Sequence, residues 1–314
     1  MNRLEWIALA WHALLGPAGF HKLISTFGSP EDIREASDEE LFDCKARLTD
    51  KHVAAIREIP EQLDAIAEQV EALEDEWVRV LCSFDEDYPP PLAALPTAPP
   101  VLSMAGDWSA EDEPGVAIVG TRTPTVEGAE MAGALAAEFA GHGITVVSGL
   151  ARGIDTAAHH GALSAGGRTI AVLGSGIQVI HPRENESMAR AIAQQGAVIS
   201  ELSPGARPNV RTLMARNRLQ SALSNAVIVV ESKERGGTMQ TAADARKQDR
   251  LLFAVDWETA QETNAGTRKL IRRDAVPISG PEDVAEAVRL MRDHMPGAPE
   301  TLDPDQPDSQ LSLF

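Results

Sequence analysis

The feature that most constrains the fold is a regular alternation, from about residue 116 onward, of short β-branched apolar runs and alanine-rich segments of helical length. Apolar runs without polar alternation are typical of strands buried on both faces, and helix-length connections allow such strands to lie parallel. The sequence therefore predicts an α/β fold with a doubly wound, Rossmann-like parallel sheet. The predicted strands are 116–119, 145–147, 169–173, 197–200, 227–230 and 251–255, and helices are predicted over 126–140 and 155–165.

Composition along the chain divides it into four segments. Residues 1–84 are predicted to form a small domain, with short helices over 1–75 and a glycine-bearing hairpin similar to SAM or helix-hairpin-helix units. Residues 85–114 are rich in proline and acid and are predicted to be a linker, because proline blocks helix interiors. Residues 115–294 form the predicted Rossmann-like domain. Residues 295–314 form a tail rich in proline and aspartate, predicted to be disordered.

The predicted location is the cytoplasm. The sequence has two cysteines, Cys44 and Cys82, too few for a disulfide framework or a four-cysteine zinc site. No apolar run reaches the ~18 residues that a membrane span requires. The apolar run near the N-terminus is interrupted by Glu5 and His12 and lacks a cleavage site, which disfavours a signal peptide.

The distribution of charge matters more than its total. The net charge of −19 argues against a nucleic-acid ligand, since phosphate contact requires cations. However, residues 1–114 carry 24 acidic and 8 basic side chains, whereas 115–294 carry 19 acidic and 20 basic. Within 205–273 there are 13 Lys or Arg against 7 Asp or Glu. A local basic region is sufficient for a polyanion to dock, although these arginines could equally form an ordinary solvated surface.

Most of the predicted strands end in a glycine-containing loop. Glycine allows backbone to approach a ligand closely, and N–H groups at helix starts favour anions. Any one such loop could be a simple turn, but several at one sheet edge predict a continuous anion-binding rim. The loops are Gly120-Thr121-Arg122, the segment 148–155, Gly174-Ser175-Gly176 and the segment 231–238.

Two common nucleotide sites are disfavoured by spacing. The first loop lacks the Gly-x-Gly-x-x-Gly pattern of dinucleotide-binding proteins, and no glycine loop is followed by the lysine of a P-loop. No histidine or cysteine stands at metal-ligand spacing. The sequence therefore predicts no cofactor and no metal.

Taken together, the motifs resemble the DprA/Smf family. They follow one another in the family's order from about residue 88 to residue 275. The signatures are Val119-Gly120-Thr121-Arg122, Ser148-Gly149-Leu150-Ala151-Arg152-Gly153-Ile154-Asp155 with His159, Ala171-Val172-Leu173-Gly174-Ser175-Gly176, Ser200-Glu201, Arg216-Asn217-Arg218 and Gly236-Gly237-Thr238 with Thr241, Ala242 and Ala245.

This resemblance implies a protein without catalytic residues that binds single-stranded DNA, forms homodimers and helps to place a RecA-type recombinase on DNA. It assigns DNA contact to loop residues and cations at the strand ends. The implied DNA-binding residues are Gly120, Arg122, Ser148, Gly149, Arg152, Gly174, Gly176, Arg216, Asn217, Arg218, Gly237, Thr238 and Lys247. Asp155, Glu201 and Glu231 are expected to brace loops. Aromatic residues are scarce in 115–294, so phosphate contact should dominate over base stacking.

Departures from the family pattern leave two alternatives open. Leu213-Met214-Ala215 precedes Arg216 where the family has Phe-Pro, and no C-terminal winged-helix domain follows. Divergent relatives occur beside toxins, so an antitoxin or phage-defence role with a toxin partner is one alternative. The other is a nucleoside-monophosphate phosphoribohydrolase, which is disfavoured because Gln240-Thr241 stands where a catalytic glutamate is needed.

The last five residues resemble a docking peptide for the replicative sliding clamp. Gln310, Leu311, Ser312, Leu313 and Phe314 match it at all five positions. Apolar anchors on a tether can enter a cleft of a partner protein. The sequence therefore predicts clamp binding, with a chance apolar end as the alternative.

Overall fold

A computed structural model describes residues 2–13 and 15–294, which build around a nine-stranded sheet. The strand order is β1-β2-β6-β5-β4-β3-β7-β8-β9. The strands are β1 (Val78–Cys82), β2 (Val101–Gly106), β3 (Gly115–Val119), β4 (Thr145–Ser148), β5 (Thr169–Val172), β6 (Ala197–Ser200), β7 (Ala226–Val229), β8 (Leu251–Val255) and β9 (Val276–Ile278).

The seven strands from β3 to β9 are mutually parallel, which confirms the predicted doubly wound α/β fold. All six predicted strands are present, and their limits differ from the prediction by at most one residue. The agreement is close because these runs are buried on both faces, so their apolar composition marks their whole length.

Helices cover both faces of the sheet. One face packs against α7, α8 and α14 through a core that includes Phe139 and Phe253. The opposite face packs against α6, α11, α12 and α13 through a core that includes Leu219 and Leu270. The helices beyond the N-terminal region are α6 (Pro90–Ala93), α7 (Val126–Gly141), α8 (Ile154–Ser164), α9 (Glu186–Gln195), α10 (Val210–Ala215), α11 (Asn217–Ala222), α12 (Gly237–Lys247), α13 (Ala265–Arg273) and α14 (Val284–Asp293).

The N-terminal region is helical, as predicted, but its last helix is long rather than short. Its helices are α1 (Arg3–His12), α2 (Pro17–Phe27), α3 (Pro30–Glu35), α4 (Asp38–Asp43) and α5 (Asp50–Asp75). Helix α5 continues through Pro60 because buried residues at helical spacing, from Val53 and Ile56 to Ile66 and Leu73, anchor it on both sides of the proline. Among the described residues, no helix has the length and apolar composition to cross a bilayer.

The segment 85–114 is part of the folded unit rather than the expected linker. Strand β2 lies within it and pairs antiparallel with both β1 and β6, so β1, expected in the N-terminal domain, also belongs to the sheet. The Tyr88 hydroxyl donates to Pro99 O at 2.8 Å. The fully buried Asp112 accepts from Arg168 Nε at 2.8 Å and from Thr145 Oγ1 at 2.9 Å. The linker prediction was wrong because prolines flank β2 and because the strands that pair with it are not apparent from the local composition.

Candidate nucleic-acid interface

A pocket of about 400 Å³ opens at the carboxyl ends of β3 and β7. These two strands are neighbours in the sheet, and the strand order runs outward from them in opposite directions. Parallel α/β sheets bind ligands at such a switch point, because the loops that follow the two strands separate there. The lining residues include Gly120, Thr121, Arg122, Asp155, Val210, Leu213, Met214, Arg216, Asn217, Gln220, Ser232, Lys233, Arg235, Gly236, Gly237, Thr238 and Thr241.

The loop after β3 places Arg122 at the mouth of the pocket. The backbone N–H of Thr121 donates to Glu231 O at 2.8 Å, and the Glu231 carboxylate accepts from Thr125 N at 2.9 Å. Gly120 fits because a Cβ there would lie 2.5 Å from Ile154 Cγ1. The loop is therefore held at both ends, while the exposed Arg122 makes no hydrogen bond or ion pair with any described residue. This leaves its guanidinium available to an anion.

Arg216 forms the floor of the pocket. It stands at the junction of α10 and α11, is only 4% exposed, and donates from Nη1 to Val172 O. Its guanidinium fills the space where Gly149 would carry a side chain. Burial lowers the pKa of the Arg216 guanidinium; the Asp155 carboxylate opposes this shift, and the charge of Arg122 adds to it. Two cations thus converge on one cavity.

Two buried donors at this floor lack a hydrogen-bond partner in the described structure. They are Arg216 Nε and Gln220 Nε2, and both side chains belong to residues that line the pocket. A buried polar atom without a partner is costly, and such atoms usually bind water or a ligand. The pocket floor is therefore suited to a ligand with acceptor oxygens or ring nitrogens.

The loop after β7 supplies the opposite wall. Lys233 and Arg235 are both exposed there, and Lys233 Nζ lies 2.9 Å from Glu262 Oε1. The loop leads into α12 at Gly237, whose carbonyl accepts from Asn217 Nδ2 at 3.1 Å. A helix N-terminus that faces a cavity adds its dipole to the cationic side chains, so this wall also favours an anion.

Six of the thirteen residues predicted to bind DNA line this pocket. They are Gly120, Arg122, Arg216, Asn217, Gly237 and Thr238.

Four other predicted residues shape the neighbouring loops instead of lining the pocket. Ser148 Oγ donates to Ile118 O at 2.7 Å and ties β4 to β3. Gly149 leaves room for the guanidinium of Arg216. Gly174 leaves room for Leu213, because a Cβ added at Gly174 would lie 2.9 Å from the Cα of Leu213. Gly176 packs against the backbone of 203–204. These positions need a small residue because other atoms occupy the space where a larger side chain would lie.

The remaining three predicted residues, all cationic, lie outside the pocket. Arg152 is exposed and forms a two-point ion pair with Glu184, at 2.6 and 2.7 Å. Arg218 is held by Glu201, so its charge is compensated within the protein. Lys247 is the last residue of α12, at the opposite end from the pocket. Of the four arginines expected at one rim, the structure brings together Arg122 and Arg216.

Sequence reasoning did not single out several contributors to the pocket, among them Gln220 on its floor. Lys233 and Arg235 fall inside a loop that the motif analysis marked, and their position after a predicted strand was an available signal. Val210 and Met214, which are 66% and 37% exposed, give the pocket an apolar edge. Nothing local distinguishes these two from core residues, because only the packing of α10 leaves them outward.

The carboxylates expected to brace loops do so. Asp155 Oδ2 accepts from Gly149 N at 3.1 Å, and Glu201 and Glu231 hold Arg218 and the Arg122 loop. Burial raises the pKa of the Asp155 carboxyl, and Arg216 opposes that shift.

The similarity to known proteins covers the part of the chain that contains the pocket. A family model described as DNA recombination-mediator protein A matches residues 79–289. Protein Smf of Escherichia coli is 36% identical over 229 residues, which cover 72% of this chain and 61% of that protein. DNA processing protein DprA of Bacillus subtilis is 35% identical over 237 residues, covering 75% of this chain and 80% of that protein. The chain thus spans less than two thirds of some of its curated relatives.

Solved structures give the same result. DNA processing protein A from Streptococcus pneumoniae superposes with a TM-score of 0.76 at 29% identity, covering 91% of this chain and 98% of that one. DNA processing protein A from Helicobacter pylori, whose structure was described for its single-stranded DNA binding mode, gives 0.61 at 30% identity over 69% of this chain and 97% of that one. Sequence, fold and motif order agree, and the chain belongs to the DNA recombination-mediator protein A family, DprA/Smf.

Proposed function

We propose that this protein binds single-stranded DNA in the pocket between β3 and β7 and does so without catalysing a reaction. The observation that carries the proposal is the convergence of Arg122 and Arg216 on one cavity whose floor has two buried donors without partners among the described residues. A phosphate between the guanidinium groups would accept from both, and charge-assisted bonds of this kind are the strong ones. Arg235, which forms no ion pair with a described residue, would hold the adjoining phosphate.

The shape of the pocket favours a single strand over a duplex. Its cations lie in a concavity beside the exposed apolar side chains of Val210 and Met214. In a single strand the bases are free to turn toward such an edge, whereas in a duplex they are paired and stacked. The structure of the Helicobacter pylori relative, described for its single-stranded DNA binding, supports the same ligand class.

The hydrolase alternative is disfavoured by the lining of the pocket. Among the described lining residues, Asp155 is the one carboxylate, and it already accepts a backbone hydrogen bond from Gly149. Glycosidic bond hydrolysis needs a carboxylate that can reach the substrate and transfer a proton. Incubation with nucleoside monophosphates is expected to release no ribose phosphate. Release that disappears in Asp155→Asn would favour the enzyme.

The cellular role we propose is that of a cytoplasmic recombination mediator, acting as a homodimer that places a RecA-type recombinase on single strands. The family description as a recombination mediator supports this role. The predicted clamp peptide, Gln310 to Phe314, lies outside the described residues. Removal of these five residues should abolish clamp pull-down and leave DNA affinity unchanged. The antitoxin alternative stays a prediction.

The test of the proposal is fluorescence anisotropy with single- and double-stranded oligonucleotides over a range of salt concentrations. Arg122→Ala should weaken single-strand binding by about tenfold or more, because it removes a charge-assisted hydrogen bond worth about 1.5–3 kcal/mol. It should also reduce the salt slope by about 0.7 for each phosphate that the arginine neutralises.

The control is Arg152→Ala, which removes another exposed arginine, one that lies outside the pocket. Its affinity should remain near that of the wild type. Equal losses of affinity in Arg122→Ala and Arg152→Ala would contradict binding in this pocket, as would a wild-type protein that does not bind single strands at low salt.

A further inference from the structure

A row of exposed cations lies on the helices that lead away from the pocket. Helices α12 and α13 pack on the same face of the sheet, both against β8, and Arg246 near the end of α12 pairs with Asp274 just after α13. On α13, exposed residues at positions 269, 272 and 273 have helical spacing and share one outward side. We name the four cations Lys247, Lys269, Arg272 and Arg273 the α12–α13 row.

Neighbouring acids compensate the positive charge of this row only in part: Asp274 lies near Arg273, and Asp244 lies near Lys247. None of its four members forms an ion pair with a described residue, so what distinguishes the row is that its cations lie on neighbouring helices. The carboxylate of Asp274 is already held by Arg246, through contacts of 2.8 and 3.1 Å to Nε.

Two other acids lie near Lys247. Asp244 on α12 is buried and accepts from Gln240 Nε2 at 3.0 Å, and Asp249 follows Lys247 by two residues. No acid of comparable proximity is recorded for Lys269 or Arg272 among the described residues. In a chain with a net charge of −19, four cations on one surface, unpaired with any described residue, form a local positive field.

The two helices that carry the row begin at the pocket, and the row lies toward their far ends. Gly237 and Thr238, at the beginning of α12, line the pocket. At the beginning of α13 the backbone N–H of Gly266 donates at 2.7 Å to the carbonyl of Ser232, another lining residue. Helix α12 has 11 residues and is therefore about 16 Å long. A strand that fills the pocket and continues across these helices meets the row after a few further nucleotides.

We infer that the α12–α13 row is a second contact surface for the single strand, holding its backbone phosphates after the strand leaves the pocket. This inference rests on the proposed function. It gives Lys247 a place in DNA binding that the pocket does not, since the residue lies at the far end of α12. Because the contact is through charge and involves no base edge, it should be independent of sequence and strongly dependent on salt.

The experiment compares two lengths of single-stranded DNA. An oligonucleotide of about 4 nucleotides, the lower end of known single-strand site sizes, should reach only the pocket, and one of about 30 should reach both surfaces. In the triple variant Lys269→Gln, Arg272→Gln, Arg273→Gln, the salt slope for the long oligonucleotide should fall by about 2, at about 0.7 per phosphate contact. Affinity for the short one should stay at the wild-type value.

The control is a triple variant with the same change of net charge, Lys22→Gln, Lys51→Gln, Arg292→Gln, made at exposed cations elsewhere on the surface. It should leave both salt slopes unchanged. Equal effects of the two triple variants would show that only total charge matters and would overturn the inference. So would a loss of affinity for the short oligonucleotide equal to that for the long one.

Two further measurements keep the outcomes distinct. Arg272 and Arg273 lie in the last turn of α13, where cations also stabilise a helix through its dipole. A lower melting temperature with an unchanged salt slope would mean that the two arginines only stabilise the helix, and it would overturn the inference. If the triple variant folds poorly, the single variant Lys269→Gln should still lower the salt slope by about 0.7. Failure of the proposed function itself would appear instead as Arg122→Ala without effect on either oligonucleotide.

Discussion

Gly149 has no side chain, and the Arg216 guanidinium occupies the place where one would lie. In Gly149→Ala the new Cβ would overlap with Nη1, Cζ and Nη2 of that arginine. The backbone of Gly149 is not in the left-handed region, so alanine causes no conformational strain of its own there. The whole cost of the substitution should therefore come from moving Arg216.

The size of the effect follows from the interactions that the guanidinium would no longer make. Its hydrogen bond to Val172 O would break, and the buried Asp155 would lose its neighbouring positive charge. A hydrogen bond to a charged group contributes about 1.5–3 kcal/mol, and loss of the positive charge near a buried carboxylate adds to that cost. Because a displaced guanidinium keeps part of its interaction, we expect Gly149→Ala to lower the free energy of unfolding by about 2–4 kcal/mol.

A double-mutant cycle measured by urea denaturation separates this cause from others. In an Arg216→Ala background there is no guanidinium to displace, so Gly149→Ala should cost less than about 0.5 kcal/mol. The matched control is Gly205→Ala, at a loop glycine with no atom within 4 Å of an added Cβ, which should leave stability unchanged. Single-strand affinity of Gly149→Ala should fall about tenfold or more, because a displaced Arg216 can no longer donate a charge-assisted hydrogen bond from the pocket floor.

The reasoning would be refuted by a Gly149→Ala protein as stable as the wild type. It would equally be refuted if the substitution cost the same with and without Arg216, since its effect would then arise elsewhere.

Three further predictions concern the buried His159, the Glu231 carboxylate that holds the loop after β3, and Asp112 in the segment before β3. Burial, with a smaller contribution from nearby positive charge, lowers the pKa of His159 from 6.5 to about 3. Below pH 6.5 the unfolded chain binds a proton that the folded chain does not, so the free energy of unfolding should fall, by about 2 kcal/mol at pH 5. Urea titration should show a smaller loss in His159→Gln. Glu231→Ala leaves the N–H of Thr125 without its acceptor and releases the loop that carries Arg122, so the affinity for single-stranded DNA measured by anisotropy should fall. Glu231→Gln, which keeps an acceptor oxygen, should retain most of the affinity. Asp112→Ala removes the acceptor of Arg168 and Thr145 and should lower the free energy of unfolding in urea by about 1.5–3 kcal/mol, whereas the same change in a linker would have no measurable effect.

The sequence was most informative where structure depends on local chemistry. The strands of the parallel sheet are marked by uninterrupted apolar runs, and the glycine loops after them by residues that allow close backbone approach. Gly120, Arg122, Gly237 and Thr238 could be assigned to one site because parallel strands present their carboxyl ends at one edge.

The sequence was least informative where a residue's role depends on distant partners. Arg122, Arg152 and Arg218 all stand in family motifs, yet Glu184 and Glu201 engage two of them and leave one available to a ligand. Which arginine finds a carboxylate depends on contacts across tens of residues, and no local pattern records those contacts.

By itself, then, the sequence determined the doubly wound fold, the family and the edge of the sheet at which the pocket opens, because these follow from burial patterns and backbone chemistry within each segment. Tertiary structure alone decided that β2 extends the sheet from within a proline-rich segment, and that a buried Arg216 lines the same pocket as Arg122. It also placed the cations of α12 and α13 side by side. The reason is physical: strand pairing, ion pairing and helix packing are interactions between residues far apart in the chain, and their energies depend on distances that only the folded molecule defines.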